Sequence, residues 1–295
     1  MEFELLRIAI AVIGTGIGAW FDIFNRKNVP DMFLYAFLGV SLVINIIDYS
    51  AFIANLPLAA LLIAALFLFY KFGQLGGADV IILAAIYSAL PTITSPLLGA
   101  PTQVTGITAI PFAVGISLPS VLSILAIAAF LFFIVMCVKY IPFVASRIMK
   151  GKAKLQKTQI AQFAVIAVAY IFVLYTFLTS PLSTFIGTNY LVFLVAVMFF
   201  SCFFILFKDE VMSSMVRWRT VRDVEHEDAL AIERIDSKIV DRYRIGRLVT
   251  ADQLKRMKKL KIKWPVLDLP MFLPYLLIAL VLYVLFGDPI LYLVR

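Results

Sequence analysis

Apolar runs of eighteen or more residues recur along this chain. Each is long enough to cross a hydrocarbon layer of about 30 Å as a helix. Backbone amides and carbonyls inside lipid must be satisfied within the protein, which leaves helices or a closed barrel. A barrel requires short alternating strands, and the runs here do not alternate. The expected fold class is therefore all-α: a polytopic transmembrane helical bundle of about eight spans with a basic cytoplasmic insertion. The spans fall near 5–22, 31–48, 51–71, 79–98, 112–141, 160–179, 188–207 and 270–287. Only 15% of the 295 residues are charged and 63% are hydrophobic, whereas a soluble domain carries about 25% charge. The first run opens with Glu2 and Glu4 instead of a basic segment and carries Asp22 at its far end, so it reads as a retained first helix, not a secretory signal. Pro91 and Pro96 interrupt the fourth run. The uncharged stretch Ile93–Pro119, rich in Pro, Gly, Ser and Thr, reads as an external loop with re-entrant character.

Lys and Arg set the orientation. They crowd Arg147–Lys157 and mark Arg26, Lys27 and Lys71. In Lys208–Asp268 fifteen of them stand against eleven acids. The loops near 49–51, 93–111 and 180–187 hold none. Cytoplasmic loops collect positive charge, so both termini are expected outside the cell membrane. The net charge of +8 follows from the same rule and implies membrane lipids as neighbours, not nucleic acid. Cys137 and Cys202 lie inside apolar runs, and the single histidine, His226, lies in a charged segment. No metal and no cofactor are expected from such a set.

The chain divides into a membrane core over 1–157, an additional helix pair over 158–207, the basic insertion over 208–268 and a final helix over 269–295. Within the insertion, the spacing of Val224, Ile232, Ile235, Ile239 and Val240 predicts an amphipathic helix in Val221–Arg244. Thr250-Ala251-Asp252-Gln253 has the form of a capping box opening a second helix. That helix runs into a Lys/Arg cluster over 255–261, which suits an anionic lipid surface or a plain solvated loop equally well.

Two acids carry the chemistry. Asp22 ends the first apolar run, and Asp79 follows the turn Gly76-Gly77-Ala78 and opens the fourth. An ionisable residue at membrane depth is costly and is a functional candidate by default. Asp48, Asp209 and Asp288 sit at span ends without such context. Gly76 and Gly77 free the backbone to turn sharply beside Asp79. The inferred orientation puts Asp22 and Asp79 at one face, the cytoplasmic one. A carboxyl pair can activate water: one takes its proton as it attacks a carbonyl, the other donates to the carbonyl oxygen. That is the chemistry of an intramembrane aspartyl protease, and it requires spans one and four to be neighbours. Gly14-Thr15-Gly16-Ile17-Gly18 mimics a dinucleotide-binding fingerprint, but it lies inside an apolar run. Close helix packing through Gly14 and Gly18 is the better reading.

Asp22, Arg26 and Val29-Pro30, followed 57 residues after Asp22 by Gly76-Gly77-Ala78-Asp79, resemble the paired motifs of the type IV prepilin peptidases. These are membrane aspartyl proteases of the GxGD type, and the likeness is greatest to the archaeal preflagellin and prepilin peptidases. It covers about the first 150 residues and the last span, where Pro270 to Leu277 resembles the family's final helix. The resemblance implies Asp22 and Asp79 as catalytic residues and Gly76, Gly77 and Ala78 as the active-site turn. Arg26 and Pro30 support the first motif. It implies prepilin, preflagellin (archaellin) or related precursors as substrates, cleaved at the cytoplasmic face after a short leader. Ala78 departs from the second glycine of the motif, and Asp31 stands where Asn is common. Spans six and seven and the long insertion exceed the compact archaeal pattern. No cysteine-tetrad zinc domain is present, which removes the bacterial methyltransferase activity from the expectation.

The principal alternative is a transporter or channel that uses the paired aspartates as a proton or cation site. The chain shows no evident inverted repeat, and its acids lie at a membrane face. A presenilin-like protease is disfavoured because Phe21, not Tyr, precedes Asp22 and no Pro-Ala-Leu motif occurs in the last span. An assembly factor that keeps the fold without catalysis is the reading Ala78 leaves open.

Overall fold

The computed structural model describes residues 2–25, 29–47, 49–71, 75–90, 120–151, 156–179, 188–225, 228–260, 262–268 and 270–287. Among these are eleven α-helices and one two-stranded sheet. The first seven helices are α1 (Glu2–Phe24), α2 (Asp31–Ile47), α3 (Tyr49–Lys71), α4 (Gly77–Ala89), α5 (Ser120–Met149), α6 (Lys157–Thr179) and α7 (Thr188–Leu206). A polar unit follows: α8 (Lys208–Met215), β1 (Val216–Arg219), α9 (Ser237–Tyr243), α10 (Ala251–Met257) and β2 (Trp264–Leu267). The helix α11 (Leu273–Phe286) comes last.

Three helices are long and apolar enough to cross a membrane: Phe3–Phe24, Ser120–Met149 and Lys157–Thr176. The other five expected spans do not reach that length: α2, α4 and α11 have 17, 13 and 14 residues, and the described apolar parts of α3 and α7 are Ala59–Leu68 and Leu194–Leu206, so the count of eight is not met. The reason is clearest in α4. It has 13 residues and stops at Ala89, with Leu90 out of helical geometry directly before Pro91. Proline disfavours helix at the residue before it. Its rise of about 20 Å falls short of the hydrocarbon layer. The expected loop over 93–119 lies outside the described residues.

α1 fixes the core. Arg7, Ile8, Ala11, Thr15, Ala19 and Asp22 are all buried, a stripe with helical spacing. It packs against α2, α4 and α11. The glycines behave as expected. A methyl group at Gly14 would overlap the Phe37 ring on α2, and one at Gly18 would lie 2.7 Å from Ile82 Cδ1 on α4. Small residues at these points let the helices approach closely. The first apolar cluster joins α1, α2, α3, α4, the first part of α5, and α11.

α5 spans 30 residues, about 45 Å, and belongs to two cores. Its second half, through Met136, Cys137, Tyr140 and Val144, packs with Phe203 of α7, Val211 and Met215 of α8, and Leu267 of β2. Arg147 on α5 pairs with Glu210 on α8 at 3.0 Å, and Gln156 donates to Asp209 at 2.9 Å. The hairpin of α6 and α7 is tied by Tyr170 and Ser201, 3.1 Å apart.

The insertion is a folded unit, not a solvated loop. β1 and β2 pair antiparallel, Val216 opposite Leu267 and Arg219 opposite Trp264. Trp264, Leu230, Val249 and Met257 close a third apolar cluster. Thr250 caps α10 through the expected box with Gln253. The single helix expected in Val221–Arg244 is absent. Ala229 and Leu230 instead bridge to Leu248 and Val266, followed by a 3-10 turn at Ile232–Arg234 and then α9. Ala229 serves the second cluster and Leu230 the third. Neighbouring residues that feed opposite cores demand an extended chain, not a helical face.

Candidate active site

The end of α1 delivers Asp22. Its residue is 6% exposed, and Oδ2 accepts a hydrogen bond from the Leu273 amide at 3.3 Å. Leu273 is the first residue of α11, and Phe272 before it supplies no side-chain cap. The opening amides of a helix lack internal partners and favour an anion. Asp22 fills that position from another helix. Pro274, second in α11, has a ring suited to a helix start and no amide to satisfy.

Asp79 arrives by a different route. Gly76 has extended geometry as the N-cap of α4, and Asp79, three residues on, reaches back. The Gly76 amide donates to Asp79 Oδ2 at 3.1 Å. Oδ1 takes no part in that bond. The carboxyl is half-buried, at the rim of the first cluster. A side chain at Gly76 would meet the same oxygen, since its Cβ would stand 3.2 Å from Oδ2. Glycine therefore belongs here for room. Gly77 and Ala78 form the first two residues of α4, and Ala78 packs against the core.

The two acids meet because α1 and α4 lie in contact with a fixed register. Gly18 faces Ile82 and also approaches Leu273. Asp22 is one turn beyond Gly18, and Asp79 is just under a turn before Ile82. Asp22 and Asp79 therefore lie towards the same end of the α1–α4 contact, near enough for the charge of one to act on the other. The expected neighbourhood of the first and fourth apolar segments is thus present. Pro30 is exposed ahead of α2, where its carbonyl accepts from Phe33 and Leu34. Arg26, Asp48, His226 and Asp288 lie outside the described residues. Asp209 serves α6 instead of the site.

Sequence reasoning missed two partners. The Leu273 amide is a backbone group and leaves no mark, although Pro274 signals a helix start nearby. Arg7 is buried at the other end of α1, where it donates to Asn45 Oδ1 at 3.5 Å and the Ala89 carbonyl at 3.4 Å. A basic residue inside an apolar run was the available signal. Among the described residues no group of three or more His, Cys, Asp or Glu could hold a metal ion.

No protein-family model matches the chain, no curated protein is significantly similar to it, and no solved structure matches it.

Proposed function

We propose that the chain is a membrane aspartyl endopeptidase, with Asp22 and Asp79 as its catalytic pair. The observation that supports this reading is the α1–α4 contact through Gly18 and Ile82, which brings Asp22 and Asp79 towards one end of the helix pair. A water between them would lose a proton to one carboxylate as it attacks a peptide carbonyl. The other, protonated, would donate to the carbonyl oxygen, and a proton would then pass to the leaving amine. The Leu273 amide holds Asp22 in place, and the Gly76 amide holds Asp79. No metal or cofactor has a part in this scheme.

By its paired motifs the substrate class is prepilin-like or preflagellin-like precursors, cut at the cytoplasmic face next to a hydrophobic helix. The proposed topology has both termini outside and the carboxyls at the cytoplasmic side. The short helices α4 and α11 open at that side, so the site sits where a leader remains in water. Cleavage of a short-leader pilin precursor by purified protein in lipid is the test. Asp22→Asn and Asp79→Asn should each abolish it, and the double variant should be no worse than either, because the pair acts as a unit. Substantial turnover by either single variant removes the assignment.

A second reading draws on Thr15. Its hydroxyl is buried on the α1 stripe two turns from Asp22 and has no hydrogen-bond partner among the described residues. Ser41 is in the same condition. Buried hydroxyls along the face that joins Asp22 to Arg7 suit a proton path. Proton flux into liposomes that is lost in Asp22→Asn, with no peptide cleavage by the wild type, would select it.

A further inference from the structure

The charge of the folded insertion is divided along the chain. Residues 208–241 hold nine acids and six bases, whereas 242–263 hold nine Lys or Arg and one acid, Asp252. The second stretch wraps the third apolar cluster, which buries Ile245, Val249, Met257 and Trp264. Burying those residues turns the bases outward. Arg242, Arg247, Lys255, Lys258, Lys259 and Lys263 are all exposed. Of these six, only Lys255 has an ion-pair partner among the described residues, Asp252 at 3.9 Å. The two halves of the stretch form one surface, because Gln253 of α10 lies against the turn at Gly246.

The unit cannot leave the membrane's vicinity. One residue, Phe207, separates α7 from α8. Five residues separate β2 from α11, which reach about 17 Å fully extended. Val211, Met215 and Leu267 also bind it to α5 and α7 in the second cluster. A unit tethered this closely can bring a basic surface within one or two Debye lengths of the headgroups, about 8 Å each at physiological salt. Ile262 lies within the stretch, and Trp218 is a second exposed apolar group of the same unit. Ile262 is 37% exposed and Trp218 54%. Trp218 shares its sheet face with Val216, which packs on the second cluster, and its partner Pro265 sits beside the point where Lys263 enters β2. Tryptophan favours the headgroup level.

We propose that the 242–263 surface docks the insertion onto anionic lipid headgroups of the bilayer that holds the chain. Lysine and arginine beside an anionic leaflet each contribute a favourable attraction, and exposed Trp218 and Ile262 add shallow apolar contact. The proposal rests on the chain's being membrane-embedded and is independent of the protease reading.

The test uses full-length protein in which Cys137 and Cys202 are replaced by Ala and Lys258→Cys carries a fluorophore. It is placed in nanodiscs of phosphatidylcholine alone or with phosphatidylglycerol, each containing headgroup-spin-labelled lipid. Quenching is expected in the anionic discs, with release by raised salt and little quenching in the zwitterionic ones. Replacing Arg242, Arg247 and Lys255 together by Gln should lower the docked-to-free ratio on the order of a hundredfold. An unchanged thermal unfolding transition shows that the variant is folded. Quenching independent of lipid charge, or none in either disc, overturns the proposal. Shielding of the label by a soluble oligonucleotide, without a response to lipid, assigns the surface to nucleic acid and overturns it equally.

Discussion

Arg7 and Asp22 lie on one buried face of α1 and terminate two different helices. Arg7 donates to the Ala89 carbonyl at the end of α4, and Asp22 accepts from the Leu273 amide at the start of α11. Each charge meets the helix end that favours it. Arg7→Met should therefore weaken the bundle by about 1–3 kcal/mol, the cost of leaving buried acceptors without a donor. The site, roughly 22 Å along α1, should keep its turnover in the folded fraction. Thermal unfolding in detergent and cleavage per folded molecule separate the two effects. A variant that unfolds no earlier than wild type would mean the Arg7 contacts do not stabilise α4.

The Gly18–Ile82 contact sets the register of the acids and can be tested by repair. Gly18→Ala puts a methyl 2.7 Å from Ile82 Cδ1. Overpacking of that kind costs about 1–3 kcal/mol and should displace Asp22 relative to Asp79. Ile82→Val removes the offending carbon. The double variant should recover both stability and cleavage beyond Gly18→Ala alone. Purely additive losses would mean that the two side chains do not set the site.

Ala78 occupies the position where the motif it resembles has glycine. It packs on the core as the second residue of α4. Ala78→Gly should leave cleavage active with a modest change in rate. Ala78→Leu should crowd the start of α4 and shift Asp79, and small misplacements of a catalytic group cost on the order of a hundredfold. Cleavage by Ala78→Leu at the wild-type rate would place Asp79 outside the site. An inert wild type with an active Ala78→Gly would identify a degenerate family member.

The proposed topology makes Arg295→Cys, in a background without Cys137 and Cys202, reactive to an impermeant maleimide added to intact cells. Lys258→Cys should react only after permeabilisation. The opposite pattern would invert the chain and move both carboxyls to the outer face.

Much of the site could be read from residue types. Glycines at positions 14 and 18 inside an apolar run announce close packing whatever the partner. A glycine turn before Asp79 announces a helix start with an acid in its first turn. The Thr250–Gln253 cap is local, so its sequence suffices. Contacts made by backbone are another matter. Nothing in residues 1–25 says that a leucine amide at 273 will meet Asp22. Hydropathy marks where a helix can lie but not where it stops, which is why α4 and α11 are shorter than their apolar runs. The spacing in Val221–Arg244 imitates a helical face because Val224, Ile232, Ile235 and Ile239 all reach the third cluster, but they do so from an extended segment, a 3-10 turn and α9 in succession.

The hydrogen bond between Asp22 and Leu273 joins residues 251 positions apart. Ribosomes add about 5–20 residues each second, so Asp22 waits tens of seconds for the group that holds it. During that interval the nascent protein has one acid in an early helix, the other soon after, and no final helix to orient them. On the proposed reading, competence for hydrolysis would arise only after α11 has been made. A truncated chain lacking its last segment would enter the bilayer without becoming a hazard to its neighbours.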